Sequence, residues 1–285
     1  MNRATSVVYG AVSVLNAIPT GVGGAIGVNL KVKCELEIVD EPGVRIESIA
    51  RGERIDVSER LVNALLEVLR ERYGLVGGLR ARVESEVPPA RGLKSSSAFI
   101  NALVVGALKA MRRAYSLEDV ALASVEIARR AGLTITGALD DTLASLEQGV
   151  FITDNARMRI LRHYPAKSEP VVIFVPREKL DVSEIQPSSF ESLRSLYLKA
   201  AKNALNGSWR EAMTLNGFLT ALAIAIDPTP ILRALKLPFT IAAGVTGKGP
   251  AFFAVTREPE SIADLWSEME GEIIITSLRG GGFES

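Results

Sequence analysis

Residues 88–98 read Pro-Pro-Ala-Arg-Gly-Leu-Lys-Ser-Ser-Ser-Ala and contain the most informative pattern in the chain. Gly92 permits a tight backbone path, and the residues from Ala98 to Ala114 are predicted to form a helix. A tight turn before a helix gathers unpaired N–H groups and the positive end of the helix dipole at one point. Because Lys94 and three serine hydroxyls lie at that point, the stretch predicts a phosphate-binding turn with a serine available to bind Mg²⁺. An ordinary helix start capped by serine is the alternative.

The overall composition argues against several classes of protein. Lys plus Arg number 33 and Asp plus Glu number 33, so the chain lacks the net basic field that nucleic acid or an acidic membrane surface would attract. Hydrophobic residues make up 47% of the 285 residues, which is enough for a substantial core. Cys34 is the only cysteine, so no disulfide can form within the chain. We expect a soluble cytoplasmic protein with no signal peptide, no membrane span and no evident protein partner.

The order of predicted strands and helices indicates an α+β chain in two halves. Hydrophobic and charged residues alternate from Leu79 to Val87, which predicts a half-exposed antiparallel strand that leads into the serine turn. Polar residues accumulate over 155–168 and mark a boundary between the halves. We therefore predict an N-terminal domain over 1–160 and a C-terminal domain over 161–285.

Two helices of the first half have recognisable starts. Asp56 and Glu59 predict a capping box for a helix that ends at Gly74. Ser116 and Asp119 predict a second capping pair for the next helix.

The amino-acid composition and motifs argue against several kinds of catalytic site. His163 is the only histidine and lies in the polar segment between the halves, where an incidental residue is expected, so the sequence argues against zinc clusters and against triads with a histidine base. The Walker pattern G-x-x-x-x-G-K-[ST] is also absent. Carboxylates and hydroxyls remain as candidate catalytic groups.

Three acidic residues are candidates for chemistry. Asp140 and Asp141 lie in an otherwise apolar stretch, where two carboxylates are costly to bury unless something uses or pairs them. An N-cap for the following helix would explain one aspartate but not the second. Glu126 lies in the middle of a predicted helix, with Arg129 and Arg130 three and four residues on. By itself it is most simply a solvated ion pair.

A second glycine-rich turn, Gly-Val-Thr-Gly-Lys-Gly-Pro, covers residues 244–250 between two strand-like segments. Turns of this composition let the backbone approach a ligand closely, although hairpin turns look similar.

Taken in this order, the motifs resemble those of the GHMP small-molecule kinase superfamily. Its central motif P-x-x-x-G-L-x-S-S is matched by Pro88, Gly92, Leu93, Ser95 and Ser96, and Ser97 stands in the place of the small residue that follows. The turn at 244–250 resembles the C-terminal glycine motif, and Asn16 with the Thr20–Gly24 turn occupies the place of the N-terminal substrate motif. Within the superfamily, residues 92–98, 136–155 and 215–228 are most similar to archaeal-type shikimate kinases.

The resemblance implies a fold and a function. The expected fold is α+β, with an S5-like N-terminal domain, a ferredoxin-like C-terminal domain and ATP bound between them. The expected activity is ATP-dependent phosphorylation of the 3-hydroxyl of shikimate, a step toward chorismate and the aromatic amino acids. Another GHMP kinase, homoserine kinase first, is the alternative enzyme. A metabolite sensor that kept the fold without catalysis is the alternative outside enzymes.

The resemblance also implies roles for particular residues. Ser96 and Glu126 are expected to bind Mg²⁺, and Asp140 to orient or deprotonate the acceptor hydroxyl, with Asp141 as the other candidate. Lys94 is expected to take part in catalysis, and Asn16 to contact the acceptor. The residues expected to bind ATP are Pro88, Pro89, Ala90, Arg91, Gly92, Leu93, Lys94, Ser95, Ser96, Ser97, Ala98, Gly247 and Gly249.

Overall fold

Two β-sheets organise the chain in the computed structural model, which describes residues 2–178 and 187–281. The strands of the first sheet are β1 (Arg3–Leu15), β2 (Val22–Val39), β3 (Gly43–Ala50), β4 (Glu53–Arg54), β5 (Gly78–Ser85), β6 (Val150–Asp154) and β7 (Arg159–Tyr164). The long strand β2 holds this sheet together, because it pairs with β1, β5 and β6 in antiparallel register. The predicted strand before the serine turn is β5, which is antiparallel to β2 as expected but also parallel to β3.

Four helices cover the first sheet: α1 (Glu59–Tyr73), α2 (Ser95–Ala110), α3 (Leu117–Arg130) and α4 (Leu139–Leu146). The central one is α2, which packs on β1 and β2 and also contacts α3 and α4. Apolar residues occupy most of its faces, as expected for a helix with neighbours on several sides. It begins at Ser95, three residues earlier than predicted, because Lys94 takes a left-handed conformation (φ 62°, ψ 27°) that closes the preceding turn.

The two predicted helix starts have different outcomes. The Ser116–Asp119 capping box is confirmed at the start of α3. The Asp56–Glu59 pair is wrong, because Glu59 is already the first helical residue and the Ser58 side chain accepts the bond from the Leu61 amide. An N-cap residue must directly precede the first helical residue, and Asp56 lies too far upstream.

The second sheet belongs to the C-terminal half and has the order β11-β8-β10-β9, with all pairs antiparallel. Its strands are β8 (Pro170–Pro176), β9 (Thr240–Val245), β10 (Phe252–Thr256) and β11 (Gly271–Ser277). A 3₁₀ segment (Pro187–Leu193) and the helices α5 (Arg194–Leu205), α6 (Trp209–Ala223) and α7 (Thr229–Leu235) connect β8 to β9, and α8 (Pro259–Ser267) connects β10 to β11. This succession of strands and helices is the ferredoxin-like arrangement that the resemblance implied.

The two halves share one hydrophobic core. The chain passes from the first sheet to the second between Tyr164 and Pro170, a few residues after the predicted boundary, and the division at 160 stays a prediction. One hydrophobic cluster includes Val104 of α2 together with Val171 of β8 and Phe253 of β10. This packing brings the turn between β9 and β10 against the turn that precedes α2. None of the helices in the described ranges has the length and apolar character needed to cross a bilayer.

Candidate active site

The turn before α2 depends on a glycine in close contact. Gly92 has a left-handed conformation (φ 81°), and a Cβ at this position would lie 2.1 Å from the carbonyl oxygen of Thr246. Thr246 also donates a hydrogen bond from Oγ1 to the Gly92 carbonyl over 3.0 Å. The backbones of the two glycine-rich turns therefore touch, and only glycine permits that approach.

The start of α2 carries uncapped amides. Its N-cap residue is Lys94, and no side chain in the described ranges caps the first turn. The serine-capped helix start that was the alternative is therefore wrong. Ser96 is exposed at this end, with Ser95 and Ser97 partly exposed beside it. The amides and hydroxyls remain available to an anion at the positive end of the helix.

The start of α4 is built in the same way. Ala138 is its N-cap residue in a left-handed conformation (φ 50°), and no described side chain caps it. Asp140 and Asp141 are the second and third helical residues, so neither serves as the N-cap. The capping alternative for the aspartates is therefore wrong, and two helix N-termini converge on one place.

Asp140 is a buried carboxylate held by an amide. Its side chain is 4% exposed, and its Oδ1 accepts a hydrogen bond from Nδ2 of Asn155 over 2.8 Å. It also lies against Gly23 of β2, where a Cβ would come within 2.6 Å of the carboxylate. Burial and then the charge of Asp141 raise the pKa of Asp140 to about 7, although Lys94 and the bond from Asn155 act in the opposite direction.

Asn155 was not predicted as a site residue. It is fully buried just after β6, where its Oδ1 accepts a bond from Oγ1 of Thr153 over 2.7 Å. That bond fixes the orientation of the amide, so that Nδ2 points toward Asp140 and toward Oγ1 of Thr136. Its place near a strand end and within the stretch 136–155 that carries the resemblance offered a signal, but nothing local shows that it meets Asp140.

Asp141 forms an ion pair with Lys94. The Lys94 Nζ lies 2.9 Å from Oδ1 of Asp141, and the two side chains are 11% and 16% exposed. The pair therefore links the starts of α2 and α4. The two aspartates that the sequence could not distinguish thus have different surroundings: Asp141 faces a cation, and Asp140 faces the amide of Asn155.

Glu126 lies apart from the starts of α2 and α4, and its role as a Mg²⁺ ligand stays a prediction. Its carboxylate pairs with Arg72 of α1 over 2.6 Å and with Arg130 on its own helix. It is also absent from the lining of the cavity described below. Spacing along α3 did not show which face of the helix Glu126 occupies. The simple ion-pair interpretation is the one that the structure supports.

The turn between β9 and β10 also lines the cavity described below, together with Asn16. The Gly247 amide donates to Oγ of Ser13 over 2.9 Å, and the Gly247 carbonyl accepts from Nδ2 of Asn16 over 3.3 Å. Asn16 is thus fixed beside this turn, near the predicted phosphate-binding residues. Lys248, which was not predicted as a site residue, follows directly.

These elements enclose a cavity of about 370 Å³. Predicted residues that line it are Asn16, Ala90, Gly92, Lys94, Ser95, Ser96, Ser97, Asp140, Asp141, Gly247 and Gly249. Five predicted ATP-binding residues do not line it, namely Pro88, Pro89, Arg91, Leu93 and Ala98. Leu93 and Ala98 are buried in the core, and the Arg91 guanidinium bonds to the carbonyls of Pro176 and Glu178. The side chains of Leu93, Ala98 and Arg91 therefore contact the rest of the protein and not the cavity.

Comparison with solved structures supports the fold. The Methanococcus jannaschii mevalonate kinase superimposes with a TM-score of 0.76 at 12% identity, over 98% of this chain and 99% of that one. A homoserine kinase from Cytophaga hutchinsonii gives 0.73 at 17% identity, over 97% and 96% of the two chains. At such identities the likeness concerns the fold alone, and it confirms the expected α+β kinase architecture.

Comparison of sequences identifies the family. Residues 60–149 match the GHMP kinases N terminal domain. The shikimate kinase of Pyrococcus furiosus is 39% identical over 269 residues, which cover 94% of this chain and 97% of that protein. The shikimate kinase of Methanothermobacter thermautotrophicus is 34% identical over 280 residues, or 96% and 94% of the two chains. The cavity between two glycine-rich turns and these whole-length similarities agree, and the chain belongs to the archaeal shikimate kinase family of GHMP kinases.

Proposed function

We propose that the protein transfers the γ-phosphoryl group of ATP to the 3-hydroxyl of shikimate. The observation that carries the proposal is the buried Asp140 carboxylate, which lines the same cavity as the uncapped start of α2. A carboxylate beside an anion-binding helix end is the pairing that phosphoryl transfer to an alcohol requires. The choice of shikimate rests on relatives that carry that name.

The start of α2 is proposed to bind the phosphates. Its free amides and the Ser95–Ser97 hydroxyls present donors at the positive end of the helix, and the Lys94 ammonium stands at the same place. Donors fixed in position before the reaction stabilise the charge that develops on the transferred group. Gly247 and Gly249 complete the wall from the second turn.

Mg²⁺ is proposed to bind at Ser96. The Ser96 hydroxyl is exposed at the cavity and takes no part in capping α2, so it is available as an oxygen ligand. When bound, the ion would neutralise charge on the β- and γ-phosphate oxygens. Glu126 has no part in this proposal, because its carboxylate pairs with Arg72 and Arg130.

Asp140 is proposed to orient the acceptor hydroxyl and to accept its proton. Its pKa of about 7 lies close to the working pH, where a general base is most effective. Asn155 holds the carboxylate in one orientation through the bond to Oδ1. Asp141 is proposed to hold Lys94 in position rather than to act on the hydroxyl.

The proposed ligands are small molecules, and the proposed compartment is the cytoplasm. Cys34 is buried as a free thiol, and charge is balanced over the chain, which agrees with both.

A coupled assay of ADP release with shikimate, homoserine and mevalonate as acceptors tests the proposed function. We expect turnover with shikimate and no more than background with the other two. Turnover with homoserine or mevalonate alone would reassign the acceptor. Binding of ATP without turnover on any of them would support the non-catalytic sensor instead.

A further inference from the structure

Lys248 is a second cation in the cavity with no role in the function proposed so far. It follows Gly247 in the turn between β9 and β10, and its side chain is half-buried. Among the described residues, Lys94 and Lys248 are the basic side chains that line the cavity. The Lys94 charge is balanced by Asp141 at 2.9 Å, whereas Lys248 forms no ion pair with any described residue.

Among the residues that the structure describes, none compensates the charge of Lys248. Burial lowers the pKa of Lys248, and the nearby Lys94 ammonium lowers it further. The effect of Lys94 indicates that the two ammonium groups lie near each other in the cavity, and of the two only Lys94 has an ion-pair partner among the described residues. A half-buried ammonium without a counter-ion is costly, and an anionic ligand that reaches it recovers part of that cost.

The position of Lys248 favours the acceptor over the nucleotide as the source of that anion. The turn is anchored to Asn16 and Ser13 through the backbone of Gly247. The phosphates already have the free amides at the start of α2 and the Lys94 ammonium as donors. Shikimate carries a carboxylate, and a carboxylate buried in a cleft needs a cationic partner.

We propose that Lys248 binds the carboxylate of the acceptor and so helps to position a ring hydroxyl at Asp140. This inference rests on the proposed function, because shikimate supplies the carboxylate. Shikimate has hydroxyls on three neighbouring ring carbons, and its carboxylate is joined to a carbon two bonds from C3. C5 is equally two bonds away and C4 is three, so a carboxylate held at Lys248 separates the 3- and 5-hydroxyls from the 4-hydroxyl in their distance to Asp140, which lines the same cavity.

The test breaks the proposed ion pair from either side. Lys248→Met removes the ammonium from the protein, and the methyl ester of shikimate removes the negative charge from the ligand. We expect Lys248→Met to raise the KM and the calorimetric Kd for shikimate roughly 10- to 100-fold, because a hydrogen bond between charged groups is lost. The Kd for ATP should change less than about twofold. The ester should bind wild-type protein as weakly as shikimate binds the variant, and the variant should no longer discriminate between acid and ester.

Two further variants serve as controls. Lys248→Arg keeps the charge and should retain most of the affinity for shikimate. Lys236→Met removes an exposed lysine just after α7 and should leave both ligands unaffected. A thermal unfolding scan of each variant confirms that the fold is intact.

Several outcomes would overturn the proposal. One is additive losses from variant and ester, since independent effects mean that Lys248 does not touch the carboxylate. Another is a loss of ATP affinity with unchanged shikimate affinity, which would assign Lys248 to the phosphates. If wild-type protein phosphorylates homoserine or mevalonate instead of shikimate, the proposed function fails separately. In that case the role of Lys248 is tested by comparing Lys248→Met with the methyl ester of that acceptor, because homoserine and mevalonate also carry a carboxylate.

Discussion

At the scale of single residues, Asp140 is the group whose surroundings differ most from those of an ordinary aspartate. Burial and the charge of Asp141 oppose its ionisation, while the charge of Lys94 and a bond from Asn155 support it. Such an arrangement does not stabilise a fold, and carboxylates with a raised pKa in a cleft are concentrated at functional sites.

Replacing Asp140 by asparagine tests its part in the transfer. We expect Asp140→Asn to lower kcat at least about 100-fold, because the group that accepts the proton is lost. Binding of ATP should be kept, as measured by calorimetry, since the start of α2 is untouched. Asp141→Asn is the matched variant, and we expect it to weaken the action of Lys94 on the phosphates instead. Near-normal turnover of Asp140→Asn with an inactive Asp141→Asn would move the base to the neighbour.

The same substitution should stabilise the protein, with a definite dependence on pH. The folded-state pKa of Asp140, about 7, lies above the ordinary value of 3.8, so ionisation of Asp140 costs stability as pH rises between those values. We expect Asp140→Asn to unfold at a higher temperature than wild type at pH 8, with a difference that disappears near pH 4.

The pKa of Asp119 is shifted in the opposite direction from that of Asp140, so Asp119 serves as a comparison. Hydrogen bonds from Ser116 hold the pKa of Asp119 below its usual value, so its stabilising effect is present at neutral pH and is lost on acidification. Asp119→Asn should therefore unfold at a lower temperature than wild type at pH 8.

The Asp140 prediction has a contradicting outcome. Equal melting temperatures of wild type and Asp140→Asn at pH 8 would mean that the charged Asp140 carboxylate does not destabilise the folded protein.

At the scale of secondary-structure elements, the sequence was informative wherever a local pattern acts alone. The Ser116–Asp119 box starts α3 as predicted, because both of its bonds form within four residues. The start of α2 was misplaced, since the left-handed conformation of Lys94 depends on the turn packed against it. The ion pair between Glu126 and Arg72 could not be predicted for a similar reason, because the two residues are distant in sequence.

A comparison of alanine substitutions at Gly92 and Gly52 separates the cost of backbone strain from the cost of a steric clash. Both have a left-handed backbone, with φ of 81° and 84°, but an added Cβ at Gly52 meets nothing within 4 Å. Gly52→Ala should therefore cost only the strain, about 1–2 kcal/mol of unfolding free energy. Gly92→Ala should cost clearly more and weaken ATP binding, because the added methyl group collides with the Thr246 carbonyl. Denaturant titration and calorimetry measure the two effects, and equal losses would contradict a contact between the turns.

At the scale of the whole molecule, the site is assembled from parts that lie far apart in the chain. The motif order predicted the two sheets and the turns, but contacts such as Thr246 with Gly92 join residues that no local pattern relates. Lys248 and Asn155 were missed for that reason, since each acquires its role only when distant segments meet.

Thr246 tests whether the contact between the halves supports the site. Its hydroxyl is buried, accepts a bond from the Ser13 amide and donates to the Gly92 carbonyl. Thr246→Val leaves both backbone groups unpaired, so we expect a loss of about 1–3 kcal/mol in unfolding free energy and weaker binding of ATP.

Thr256→Val is the control, because the equally buried Thr256 bonds only within the C-terminal half, to Phe239 and Glu258. It should lower stability without changing ATP affinity. Unchanged ATP affinity in Thr246→Val would show that the contact between Thr246 and Gly92 stabilises the fold but does not support ATP binding.

The ion pair between Lys94 and Asp141 has a consequence for which ligands the cavity admits. In the resting protein the lysine already has a partner, so a small lone anion meets the free helix amides at the start of α2 but no unpaired ammonium from Lys94. A ligand with several phosphate groups can engage the helix amides first and draw the ammonium away from the aspartate afterwards. The pair should therefore discriminate against inorganic phosphate and other monoanions of the cell in favour of nucleoside triphosphates.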